Sequence, residues 1–174
     1  MKTMFLAVVL SAMPMTGQEM SCPMHSQHAS ASASHQAEVE QHGDEAMGFR
    51  HDKTTHHFLL FPDGGAIQVT ADDSADAASV QQIRAHLTHI AMMFSEGNFS
   101  APMFIHSQVP PGVPTMQKDR AEISYTYEEL TAGGSVRIKS SNGDAVKAVH
   151  EFLRFQIEDH HTGDSAEVSS PLVH

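Results

Sequence analysis

Apolar residues in the first half of the chain fall into two short strand-like stretches followed by a helical one. Residues 55–61 contain four consecutive apolar positions, and residues 66–71 alternate between apolar and polar side chains. The intervening segment, Pro62-Asp63-Gly64-Gly65, has the composition of a hairpin turn. A helix is predicted from a cap at residues 73–76 to about Ser95. Its apolar positions recur at helical spacing: Val80, Ile83, Leu87, Ile90 and Phe94.

The second half of the chain repeats this order. Residues 122–128 and 135–140 are predicted strands, joined by a turn at Thr131-Ala132-Gly133-Gly134. A second helix is predicted from Asn142 or Asp144 to about His160, with apolar positions at Val146, Val149, Leu153 and Ile157. The matching order and the matching Gly-Gly turns suggest an internal duplication.

These two hairpin-plus-helix units predict an α+β fold. We expect a two-layer sandwich of order ββαββα, in which a four-stranded antiparallel sheet carries both helices on one face. The proline-rich segment over residues 98–118 is predicted to be an ordered but irregular surface crossing. Its alternatives are a lip beside a ligand site and a contact between the two copies of a homodimer.

The chain before the predicted domain has a different character. Residues 1–17 have one lysine and a short apolar core, which indicates a secretory signal peptide. Residues 18–47 are rich in Ala, Ser, His and Gln and are predicted to be a disordered arm. The core domain is expected over residues 48–163, followed by a loose tail over residues 164–174. We therefore expect a periplasmic or secreted protein with no transmembrane segment in its mature chain.

Composition narrows the classes of function. The formal net charge is −11, which argues against nucleic acid as a partner because phosphate backbones require basic surfaces. The chain has 14 His and 11 Met, and both side chains bind transition metals. A single cysteine, Cys22, excludes an intramolecular disulfide. These counts favour a metal-binding function, although Met also fills cores.

The arm contains the segment Cys22-Pro23-Met24-His25, followed by His28. This segment resembles the Cys-Pro-Met-His motif of the small heavy-metal-binding domains attached to bacterial copper-exporting ATPases and efflux adaptor proteins. The resemblance implies that Cys22, Met24 and His25 are metal ligands and that a metal efflux system is a partner. Thiolate, thioether and imidazole form a soft donor set that suits a copper ion as Cu(I), with Zn(II) as the alternative. The competing interpretation is a polar linker.

A second candidate metal site lies in the predicted domain. His86 and His89 are three residues apart on the first helix and share one face. His150 falls within the apolar stripe of the second helix, and strand alternation turns either His56 or His57 toward the helices. We predict His86, His89, His150 and His57 as candidate ligands, and the alternative is that each is an ordinary core or boundary residue.

The domain sequence, including Met47-Gly48-Phe49 and Lys53-Thr54-Thr55-His56-His57-Phe58, resembles a group of uncharacterised exported bacterial proteins, and this implies export. The sequence contains no zincin or nucleophile-elbow motif, so hydrolase chemistry is unsupported. We predict an exported protein that sequesters or delivers copper or zinc in the periplasm. The alternatives are a small-ligand or protein-binding module with the arm as a spacer, and an enzyme using the histidine cluster.

Overall fold

The computed structural model describes residues 23–169, with side chains described from residue 33 onward. The α+β class and the four-stranded antiparallel sheet predicted from the sequence are confirmed. The strands are β1 (Thr54–Phe61), β2 (Gly64–Ala71), β3 (Ile123–Leu130) and β4 (Gly133–Ser140). They lie in the order β1-β2-β4-β3.

The helices are more numerous than the sequence pattern predicted. They are α1 (Pro23–Met47), α2 (Ala77–Ser95), α3 (Ser100–Ile105), α4 (Val113–Lys118) and α5 (Gly143–Asp159). Short 3₁₀ turns at His51–Lys53 and Arg120–Glu122 lead into β1 and β3. The segment expected to be irregular thus contains α3 and α4, each only six residues long. Helices of this length lack a strong periodic signal, and α4 begins next to a proline that favours a helical first turn.

Local sequence explains where the two long domain helices begin. Asp76 caps α2 by accepting a hydrogen bond from the Ser79 N–H, and Asn142 caps α5 by accepting from the Asp144 and Ala145 N–H groups. The apolar stripes of both helices are buried with the central strands in one core. Its fully buried members include Ile83, Leu87, Val136, Ile138, Val149 and Leu153.

The paired glycines lie in the strands, whereas the sequence pattern placed them in the turns. Gly65, the second residue of β2, lies opposite Ile138, and Gly134, the second residue of β4, lies opposite Val69. A Cβ atom on Gly65 would lie 2.2 Å from the Leu153 side chain, and one on Gly133 would lie 2.0 Å from the Val69 carbonyl oxygen. The glycines therefore allow close approach of helix and neighbouring strand.

Residues 33–47, which were predicted to be disordered, form the second half of α1 and pack on the domain. Val39 is 1% exposed, and the His42 ring lies 4.7 Å from the ring of Phe104. The sequence contains few large apolar residues here, but Val39 and Met47 are eight residues apart in α1, a spacing that places them on the same side of the helix. The first residues of the predicted tail, 164–169, also contact the domain, because the Ser169 N–H donates to the Leu60 carbonyl oxygen at 2.9 Å.

Candidate functional site

The predicted ligands of the arm lie at the edge of the described structure. Cys22 and the predicted signal peptide fall outside the described residues. Met24, His25 and His28 lie in the first part of α1, where only the backbone is described. The Cys-Pro-Met-His site therefore stays a prediction.

His150 stabilises the turn between β1 and β2. Its Nε2 atom donates to the carbonyl oxygens of Phe61 and Gly64, at 2.8 and 3.0 Å. Both acceptors belong to the β1–β2 hairpin. The sequence pattern placed His150 inside the apolar stripe of α5, but the buried face of that helix passes through Val149 and Phe152 and leaves His150 at its edge. The predicted convergence of His150 with His86 is not seen.

His57 and His89 also lie apart from the other candidates. Strand alternation turns His57 toward the C-terminal segment, where its Nδ1 donates to Asp164 at 2.8 Å. His89 is exposed on α2. The member of the strand pair that shares a site with His86 is His56.

A cavity of about 250 Å³ lies between α1 and the start of β1. Its outer wall is polar and includes Gln36, Glu40 and His51 of α1 and the turn that follows it. Its inner wall contains Met47, His56 and His160. These three residues also line a second cavity, to which His86 contributes. We call Met47, His56, His86 and His160 the His–Met cluster.

The geometry of the His–Met cluster brings a thioether and imidazoles together. Met47 Sδ is 3.4 Å from His56 Nε2. The rings of His56 and His160 are stacked, with centroids 6.3 Å apart and planes 3° from parallel. Phe49 lies between His56 and His86, at 6.5 Å and 5.7 Å from their ring centroids.

Burial sets the charge of these rings. Burial, together with the neighbouring histidines, lowers the pKa of His56 and of His86 to about 4 and that of His160 to about 3. A buried imidazole loses hydration when it is protonated, so the uncharged form is favoured. At neutral pH each ring is therefore neutral, with one nitrogen lone pair free to bind a proton donor or a metal ion.

A second group of polar residues packs against His160 of the His–Met cluster. His106 is 2% exposed, and its Nδ1 lies 2.5 Å from Asp159 Oδ2 while its Nε2 lies 3.0 Å from Gln156 Oε1. The edge of the His106 ring meets the face of His160 at 5.0 Å. Asp159 also pairs with His35 of α1 at 2.9 Å. The orientation of His160 is thus fixed by a network that continues into α1.

Sequence reasoning missed Met47 and His160. Met47 was placed at the boundary of the arm and His160 at the end of the last helix, and neither position has a local motif. The two residues are brought together by the docking of α1 on the end of α5. A signal was present only in the high His and Met content of the chain.

Comparison with known proteins adds no relative: no family model, curated protein or solved structure matches the chain. Over residues 23–169, no group of three or more His, Cys, Asp or Glu side chains is positioned to hold a metal ion. In the same range, each helix is too short or too polar to cross a membrane.

Proposed function

We propose that this is an exported protein that binds copper as Cu(I) and sequesters or delivers it in the periplasm. The observation that carries the proposal is the approach of Met47 Sδ to His56 Nε2, 3.4 Å apart in the wall of an accessible cavity. Thioether and imidazole are both ligands of Cu(I), and harder ions such as Mg²⁺ prefer oxygen.

The separation of the two donor atoms fits a shared ion. Metal–sulfur bonds of about 2.3 Å and metal–nitrogen bonds of about 2.0 Å, at angles between tetrahedral and trigonal, place the donors about 3.5–3.7 Å apart. The observed distance of 3.4 Å is within a few tenths of an ångström of that value. A small rotation of the Met47 side chain is sufficient, and Met is the most adaptable apolar side chain.

His160 is the candidate for a third ligand. Its ring is stacked on His56 in the same cavity wall, and its position is supported by His106. Metal-binding histidines commonly depend on neighbours that fix the orientation of the ring. The net charge of −11 and the Glu40 carboxylate in the outer wall favour the approach of a cation.

The arm is proposed as a second, separate site. Cys22, Met24, His25 and His28 would capture Cu(I), with Zn(II) as the alternative ion, and a metal efflux system would be the partner. Met24, His25 and His28 lie in α1, the helix that ends at Met47. The resemblance of the arm to copper-exporter domains and the donor set of the His–Met cluster independently favour the same ion.

The finer plan of the domain is also a proposal. We infer a two-layer arrangement of order ββαββα, elaborated by the additional helices, with α2 and α5 on one face of the sheet. Supporting this, Leu87 of α2 lies next to Gly134 and Leu153 of α5 next to Gly65. Both glycines belong to the buried side of the central strand pair, as the Gly65–Ile138 and Val69–Gly134 pairings indicate.

Anaerobic Cu(I) titration against a colorimetric chelator tests the function. In a Cys22→Ser background, which removes the thiolate of the arm, we expect one remaining Cu(I) site. Met47→Leu and His56→Gln in that background should each weaken it by at least about tenfold, because each removes a direct donor. Met92→Leu and His89→Gln are matched controls, since both residues are exposed on α2 and neither lines the two cavities, and both should leave the affinity unchanged.

Two results would overturn this assignment. If Cys22→Ser alone abolishes Cu(I) binding, then the arm is the site and the His–Met cluster is not. If Met47→Leu and His56→Gln bind Cu(I) as tightly as their controls, the approach of the two donor atoms has no role in metal binding.

A further inference from the structure

The second cavity, which we call the inner cavity because core side chains form most of its wall, extends from the surface between the sheet, α2, α3 and α5. Its volume is about 70 Å³. Apolar side chains from the sheet and from α2 and α5 form most of its wall, among them Ile67, Val69, Leu87, Ile90, Phe94 and Phe152. The His–Met cluster forms another part of its wall, and three members of the cluster also line the first cavity, which we call the outer cavity.

This cavity is large for a core of this size. Protein interiors are packed as tightly as organic crystals, and a single water needs only about 10–15 Å³ of such space. The apolar wall offers water few of the partners that it requires. A small molecule with a carbon skeleton would gain from contact with the same wall.

One polar group on the wall lacks a partner. Gln156 is 4% exposed and lines the cavity. Its Oε1 pairs with His106 Nε2 at 3.0 Å, but among the described residues its Nε2 has no hydrogen-bond partner. In this orientation the Gln156 amide accepts from His106 Nε2, while His106 Nδ1 donates to Asp159. A buried amide N–H without an acceptor destabilises the fold unless something supplies one.

We propose that this inner cavity binds a small, uncharged molecule with an apolar body and one hydrogen-bond acceptor. The body lies against the apolar wall, and the acceptor oxygen takes the free N–H of Gln156. The inference goes beyond metal binding and does not depend on it, because no wall contact that it uses is a metal ligand.

The test uses cyclopentanone and cyclopentane, which have the same ring with and without a carbonyl oxygen. Methyl ¹H–¹³C spectra of the full-length, metal-free protein in a chelator report on Ile67 and Ile90. We expect saturable shifts of both methyl resonances with both probes. Gln156→Met keeps the length of the side chain but removes the amide. It should lower the affinity for cyclopentanone relative to that for cyclopentane, the preference for cyclopentanone, by about threefold to tenfold, as expected for one hydrogen bond.

A cavity-filling variant keeps the test independent of Gln156. Ala101 lines the inner cavity and is partly buried, so Ala101→Leu should abolish the shifts. Ala78→Leu, on the exposed surface of α2, should leave them intact. The proposal is overturned if neither probe gives saturable shifts, if Ala101→Leu binds as the wild type does, or if a folded Gln156→Met protein keeps the full preference for cyclopentanone. Cu(I) binding can fail in its own test without changing any of these outcomes.

Discussion

His35 of α1 and Asp159 at the end of α5 are joined by an Nε2–Oδ1 contact of 2.9 Å. The same carboxylate holds His106 through its other oxygen. Burial alone would raise the pKa of Asp159, but the hydrogen bonds from His35 and His106 outweigh it and lower that pKa below its ordinary value. This carboxylate therefore links the helix that covers the outer cavity to the support of His160.

Replacing this carboxylate should loosen α1. We expect Asp159→Asn to lower the free energy of unfolding by about 1–3 kcal/mol, because charge-assisted hydrogen bonds to two imidazoles are weakened. Hydrogen exchange of residues 33–47 should rise more than that of β2 and β4. Glu158→Gln is the matched control, since Glu158 is exposed on the same helix, and equal behaviour of the two variants would contradict the role given to Asp159.

His150 should be important for stability but not for metal. Its Nε2 donates to two carbonyl oxygens of the β1–β2 turn, so His150→Ala leaves both without that donor. We expect a loss of about 1–3 kcal/mol in urea unfolding. The Cu(I) affinity of the folded variant should match the wild type. If His150→Ala is as stable as the wild type but binds Cu(I) more weakly, then His150 is a metal ligand and not a stabilising residue of the turn.

Sequence patterns predicted the regular part of this fold because β1, β2, α2, β3, β4 and α5 each have their own periodicity. The positions of the histidines were harder to infer. His150 is separated from the buried face of α5 by a small rotation, which a helical pattern does not resolve. Met47 joins His56, His86 and His160 only because α1 docks on the domain, and α1 has few apolar residues that would indicate this contact in the sequence. Long-range docking of a polar helix has no local signature.

The strand glycines give a test of packing. A Cβ atom on Gly133 would lie 2.0 Å from the Val69 carbonyl oxygen, so Gly133→Ala forces β2 and β4 apart. We expect a loss of more than about 2 kcal/mol in unfolding free energy. Gly143→Ala is the control, because its Cβ would meet no atom within 4 Å and it lies at the start of α5. That variant should be neutral or more stable by up to about 1 kcal/mol.

Asp164 should make part of the stability sensitive to acid. Burial raises its pKa, but hydrogen bonds from the Phe58 N–H, His57 and Thr162 outweigh that effect and lower it. A carboxyl with a lowered pKa in the folded state contributes stability that is present above its unfolded pKa of about 3.9. That contribution is lost as the pH falls through the folded value.

Unfolding measured between about pH 5 and pH 2 checks this linkage. The free energy of unfolding of the wild type should fall more steeply with acid than that of Asp164→Asn. Glu167→Gln, at an exposed position three residues farther on, should follow the wild type. Parallel curves for the wild type and Asp164→Asn would show that Asp164 has the same pKa in both states.

The most direct test of the proposed copper site is X-ray absorption at the copper edge. The sample is a Met20→Leu/Cys22→Ser/Met24→Leu protein loaded with one equivalent of Cu(I), so that Met47 is the one sulfur-containing residue left in the arm sequence, residues 18–47. We predict one sulfur scatterer at about 2.3 Å together with nitrogen at about 2.0 Å, and loss of the sulfur in the further variant Met47→Leu. A copper shell without sulfur, or a sulfur signal that survives Met47→Leu, would contradict the assignment of Met47 and His56 as the metal site.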